Sequence, residues 1–81
     1  MAGVPRPVRK PAKHPALRRL GSRVRDLRRE RGMSQEALAD AAGIGRSYMS
    51  GIERGVRNFS VLHHMRIARA LHIHIAELFG R

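Results

Sequence analysis

The chain has 81 residues, room for one small domain, and 17 Lys+Arg against 6 Asp+Glu give it a formal charge of +11. That balance says little about fold but calls for an anionic partner, nucleic acid before an acidic membrane surface. The absence of cysteine excludes a disulfide framework, a thiolate metal site and a cysteine nucleophile. The longest apolar run, Ala37-Leu38-Ala39, falls far short of the roughly 20 residues of a transmembrane helix. No apolar stretch follows the basic start, so a secretory signal is not expected either. The expectation is a soluble, basic, single domain in a reduced, cytoplasmic compartment.

All the prolines (Pro5, Pro7, Pro11, Pro15) lie in the first 15 residues, beside Arg6, Arg9, Lys10 and Lys13 and no acid. Such a segment buries too little apolar surface to offset its ordering entropy. Residues 1–15 are therefore expected to form a flexible basic arm that touches phosphate, or else a plain solvated terminus. The domain is expected over residues 16–80. Leu17, Leu20, Val24 and Leu27 recur at steps of three and four, predicting a first helix from Ala16 to Arg31 with Gly32 just beyond its end. Ser34 caps a second, Gln35 to Ala42, with Glu36 in its first turn and Gly43 as its stop. Gly45 opens a third, Arg46 to Arg54, ended by Gly55. Ser60 caps a fourth, Val61 to Leu71, and a short fifth covers Ile75 to Phe79. Only His72-Ile73-His74-Ile75 alternates as a strand would. The class is all-α.

Only Gly43-Ile44-Gly45 separates the second and third helices. A glycine-containing turn that short makes the later helix cross the earlier one steeply, and Ala39 and Ala42 allow close approach. Ile44 offers an apolar plug. This is helix-turn-helix spacing, which presents the later helix to a DNA major groove. At 100° per residue, Gly45, Met49, Ile52 and Val56 share one stripe of the third helix, its core side. Ser47, Ser50, Gly51 and Arg54 lie opposite, with Arg46 and Tyr48 on the shoulders. Arg46 stands where recognition helices touch base edges and can bond guanine through two atoms; the bland alternative is a solvated charge. Tyr48 can offer its ring to a thymine methyl, its hydroxyl to phosphate, or simply pack against the core. Glu53 lies about 70° and Arg28 about 60° off the core stripes of their helices. Both are then half-buried and need a partner, so they are expected to pair, the alternative being two separate solvated charges.

Several stretches resemble the Cro/lambda-repressor-like helix-turn-helix family: Leu27-Arg28, Gly32-Met33-Ser34-Gln35-Glu36, Leu38-Ala39, Ala42-Gly43, Arg46-Ser47-Tyr48-Met49-Ser50, Ile52-Glu53-Arg54-Gly55 and Arg57-Asn58. Ala68, Ala70-Leu71 and Glu77-Leu78-Phe79 continue the match, which covers about residues 17–79. The run from Arg46 to Asn58 is also similar to the controller proteins of restriction–modification systems. The resemblance implies a five-helix domain that binds a two-fold operator in double-stranded DNA as a homodimer, with a nucleoid-associated location. It implies that Gln35 contacts phosphate, and that Arg46, Ser47 and Tyr48, with Ser50 close by, contact bases and adjacent phosphates. Arg57 and Asn58 would grip the flanking backbone or a base edge, and Arg28 and Glu53 match the family's internal ion pair. The chain departs from the pattern at His64, where leucine is usual on a core face shared with Val61, Met65, Ala68 and Leu71. It departs also at Leu62, where a polar residue is usual, at His74, where a cap is usual, and at Gly51, which replaces a larger side chain often used for base contact.

The histidines (His14, His63, His64, His72, His74) lack the i,i+3 or i,i+4 spacing of helical metal ligands, so no metal and no other cofactor is expected. His64 suits a partly buried core position. No acid pair, Ser/His/Asp arrangement or phosphate-cradling glycine loop is present, and an enzyme is not expected. Ile73, Ile75, Leu78 and Phe79 exceed what closing the core requires and are candidates for a dimer interface, core completion being the alternative. The leading expectation is a sequence-specific DNA-binding transcriptional regulator, repressing or recruiting polymerase. The alternative is an antitoxin-like protein-interaction module on the same fold, anchored on an acidic protein partner by Leu62 and the terminal apolar residues; a third possibility is a non-specific RNA or membrane binder using the arm.

Overall fold

The computed structural model describes residues 14–79. The arm expected over residues 1–15 thus lies outside the described residues as far as position 13. Pro15 belongs instead to the first helix: a proline there forfeits no helical hydrogen bond and its fixed φ suits the first turn. The helices are α1 (Pro15–Glu30), α2 (Gln35–Ala42), α3 (Arg46–Arg54), α4 (Val61–Leu71) and α5 (Ala76–Phe79), with no strand among the described residues. The first and last differ by one residue at their ends from the sequence expectation, and the other three coincide with it.

The boundaries have local causes. The Ser34 hydroxyl accepts the Ala37 N–H at 2.9 Å and that of Ser60 accepts the His63 N–H at 3.2 Å, each satisfying a donor that a helix start leaves orphaned. Gly43 ends α2 at φ +69°, a conformation glycine adopts without penalty. At the end of α4 the left-handed position falls to His72, φ +60°, and His74 Nδ1 accepts the Ala76 N–H at 3.1 Å to open α5. Ile44 is buried in the turn, as a plug between helices must be.

The core joins Val24 and Leu27 of α1, Leu38 of α2, Met49 and Ile52 of α3, and Ile67 and Leu71 of α4. One contact in it is set by what is missing. A Cβ on Gly21, in the middle of α1, would overlap the Ile52 carbonyl oxygen and lie 2.7 Å from that of Glu53. A second close approach brings the α1 backbone to Gly55, where a Cβ would stand 2.7 Å from the Arg18 Cα. Helix α1 therefore rests directly on the last turn of α3.

Three expectations about α4 and α5 need correction. Met65 is 53 % exposed: one residue from His64, it turns about 100° away from the stripe that His64, Ile67, Ala68 and Leu71 bury. Val61 shares the direction of that stripe but lies in the uncovered first turn and is 69 % exposed. Leu78, a dimer-interface candidate, is 2 % exposed and completes the core, because the single turn of α5 directs it inward. Ile73 and Ile75 are half-buried against the core; Phe79 stands 58 % exposed. His64 is buried between the rings of Phe59 and Phe79, at centroid distances of 4.0 and 5.1 Å. Its Nδ1 lies 2.7 Å from the Ser60 carbonyl, to which it donates, and among the described residues its buried Nε2 has no hydrogen-bond partner.

Candidate nucleic-acid interface

Arg46 and Ser47 are exposed on the first turn of α3, and Arg46 makes no hydrogen bond or ion pair to any described residue. Gly45, at the N-cap ahead of that turn, is exposed, and Val56, beyond the Gly55 stop, is only half-buried. Both were expected on the core stripe. The stripe is confined to Met49 and Ile52 because helical periodicity does not extend past the caps. Ser50 is half-buried beside the exposed residues and Arg54 is exposed.

The opposite end of α3 is held by charge. Arg28 Nε donates to Glu53 Oε2 at 2.6 Å and its Nη2 to Oε1 at 3.0 Å, a two-point geometry that fixes orientation as well as distance. Its Nη1 donates to the Met33 carbonyl at 2.9 Å, and the Gln35 amide donates to Glu53 Oε1 at 3.1 Å. Glu53 thus ties α3 to α1 and to the start of α2. The hydrogen bonds that Arg28 donates to Glu53 raise its pKa above the ordinary value; burial opposes the rise and the attraction of the carboxylate adds to it. Gln35, expected to meet phosphate, uses one of its N–H groups inward, and an amide has a second N–H and an oxygen for an outer partner.

The loop after α3 folds back along its side. The Tyr48 hydroxyl donates to the Asn58 carbonyl at 3.0 Å. The Arg57 guanidinium lies over the Tyr48 ring at 5.2 Å, within cation–π range. His63 meets the same ring edge-on at 4.9 Å, and Tyr48 also packs against the core. Gly51, expected on the open face, is buried, because a Cβ there would overlap the Arg57 side chain, which lies over it. Arg57 and Asn58 remain exposed. The structure therefore gathers Tyr48, Arg57 and Asn58 beside Gly51, while Arg46 and Ser47 stand exposed on the first turn, Ser50 lies half-buried between them and Gly51, and Gln35 is tied to the buried Glu53. Gly21, Gly55 as a seat for α1, and His63 had no signal in the sequence pattern: what each does depends on a distant element.

Among the described residues no group of three or more His, Cys, Asp or Glu could hold a metal ion, and no helix is long and apolar enough to cross a membrane.

A family model described as helix-turn-helix matches residues 24–78. The chain is 46 % identical over 61 residues to the HTH-type transcriptional regulator RamB of Mycobacterium tuberculosis, covering 75 % of the chain but only 11 % of that protein. It superposes on the restriction–modification controller protein C.AhdI from Aeromonas hydrophila with a TM-score of 0.77 at 48 % identity, over 78 % of this chain and 96 % of that one. SinR, a master regulator for biofilm formation solved in complex with DNA, matches with a TM-score of 0.72 at 32 % identity, over 75 % and 98 % of the two chains.

Proposed function

Because the chain belongs to the helix-turn-helix family, we propose that it is a sequence-specific DNA-binding transcriptional regulator whose reading element is α3. The observation that carries this is the asymmetry of α3: its first turn presents Arg46 and Ser47 to solvent, while Glu53 near its other end is tied into the protein. In this reading Arg46 reads a base edge, Ser47, Tyr48 and Ser50 contact bases or phosphates beside it, Gln35 contacts phosphate, and Arg57 and Asn58 grip the flanking backbone or a base edge. Affinity comes mostly from phosphate neutralisation and counterion release, specificity from the base contacts.

The operator is two-fold and the protein binds it as a homodimer, with Phe79, Ile73 and Ile75 and the exposed α4 residues Val61, Leu62 and Met65 supplying apolar surface. The narrower role of controlling a restriction–modification system is supported by the likeness to C.AhdI; neighbouring genes for a methyltransferase and an endonuclease would test it. Selection of bound duplexes from a random library, using the full chain, tests the main reading. A palindromic consensus with half-sites about 34 Å apart is the expected result, and recovery of no preferred sequence overturns it. A second reading, a module that docks an acidic protein, is favoured by a shallow groove of about 890 Å³ between α1 and α5. Leu20, Leu78 and Phe79 line it, together with Arg18, Arg19 and Arg23. Co-purification of a stoichiometric partner that blocks DNA binding would support that reading instead.

A further inference from the structure

Position 51 lies four residues, one helical turn, behind Ser47 and so points to the same side of α3. A side chain there would be expected to reach toward whatever the exposed first turn reaches. Glycine stands there instead, and the space is filled from elsewhere. A Cβ at 51 would overlap Arg57 Cγ and lie 3.4 Å from both its Cβ and Cδ. The methylene stem of Arg57 thus occupies the volume that a residue-51 side chain would take. A turn and two contacts of Tyr48 hold it there. Gly55, at φ +77°, turns the chain back along α3. The Tyr48 hydroxyl bonds the Asn58 carbonyl at 3.0 Å, and the Tyr48 ring, backed edge-on by His63, lies under the guanidinium. Arg57 nonetheless stays exposed.

We propose that Gly51 is a specificity-determining position that acts without touching DNA: its missing side chain seats Arg57 on the displayed face of α3, where Arg57 reads the base a residue at 51 would have read. The inference rests on the proposed DNA-binding function. It adds a mechanism, pre-ordering: a side chain already packed loses less rotamer freedom on binding than a free one. Gly51 and His63 are positioning residues in this arrangement, and Arg57 is the contacting group.

The test uses the full chain, the best duplex recovered from a random library and a scrambled duplex of equal length, with Gly51→Ala, Arg57→Ala and the double variant. Arg57→Ala should weaken binding to the selected duplex on the order of tenfold, the size of one good base contact, with little change on the scrambled one. Gly51→Ala should weaken it comparably while its melting temperature holds or rises, since alanine favours helix over glycine. In the Arg57→Ala background, Gly51→Ala should have no further effect. Repeated selection with Gly51→Ala should show relaxed preference at the same base position as with Arg57→Ala. Additive losses, or a Gly51→Ala loss equal on both duplexes, would overturn the seat. If the wild-type chain selects no sequence at all, it is the DNA-binding reading that fails.

Discussion

The two ends of α3 are built on opposite principles. The first turn carries Arg46 and Ser47 into solvent, with Tyr48 and Met49 turned back to the core. The last turn is buried against α1, with backbone lying on Gly21 and with Glu53 bonded to Arg28 and Gln35. The difference teaches how a nine-residue helix, too short to be stable alone, can be held rigid enough to present a few side chains. It is gripped from behind, and the residues that grip it, Gly21, Arg28 and Glu53, read nothing.

Substitutions at the two ends should therefore separate stability from binding. The largest effect is expected from Glu53→Ala, which strands a buried guanidinium: a loss of about 3–5 kcal/mol in denaturant unfolding, with DNA binding falling only as folded protein is lost. Gly21→Ala follows, at about 2–3 kcal/mol, because the obstructing atoms are backbone carbonyls that cannot swing aside. A Gly21→Ala protein with an unchanged unfolding midpoint would contradict the close approach of α1 and α3. Arg46→Ala should leave the midpoint within about 0.5 kcal/mol of wild type yet relax base preference at one position per half-site by about 1–3 kcal/mol. Equal losses on selected and random duplexes would deny Arg46 its reading role. Ser34→Ala, at the start of α2, should cost about 1 kcal/mol through the lost cap.

The smallest effect concerns pH. A group whose folded-state pKa is raised contributes stability that is fully present below its unfolded value and lost only as pH climbs through the folded one. For Arg28 both lie above the ordinary working range, so the arginine's contribution to the pair should be constant between about pH 7 and about pH 10. Unfolding midpoints of wild type and Arg28→Ala, compared across that range, should keep a fixed separation.

Much of this was legible in the sequence, and for a common reason. Ser34, Ser60, Gly43 and Gly55 act on the turn in which they sit, so residue type and position suffice to place them. The Arg28–Glu53 pair needed one further step, since each charge lies off the centre of its own apolar stripe and two half-buried charges require each other. Gly51 was misplaced because helical angle gives a direction but not what comes to lie there; only the return of the loop after Gly55 brings Arg57 over it. Met65 and Leu78 show the same limit in opposite senses, one apolar side chain left outside and one drawn in. Periodicity counts the apolar residues a helix offers but does not say which of them a neighbouring helix covers.

The amino-acid sequence by itself determined an all-α chain, the boundaries of α2, α3 and α4 and the glycine corner, because these follow from short-range hydrogen bonding and steric preference. Only the tertiary structure decided that Gly21 is a contact point, that Leu78 is interior and that Arg57 lies across Gly51. Each of those depends on two segments distant in sequence arriving at one place, and that juxtaposition is set by packing of the whole.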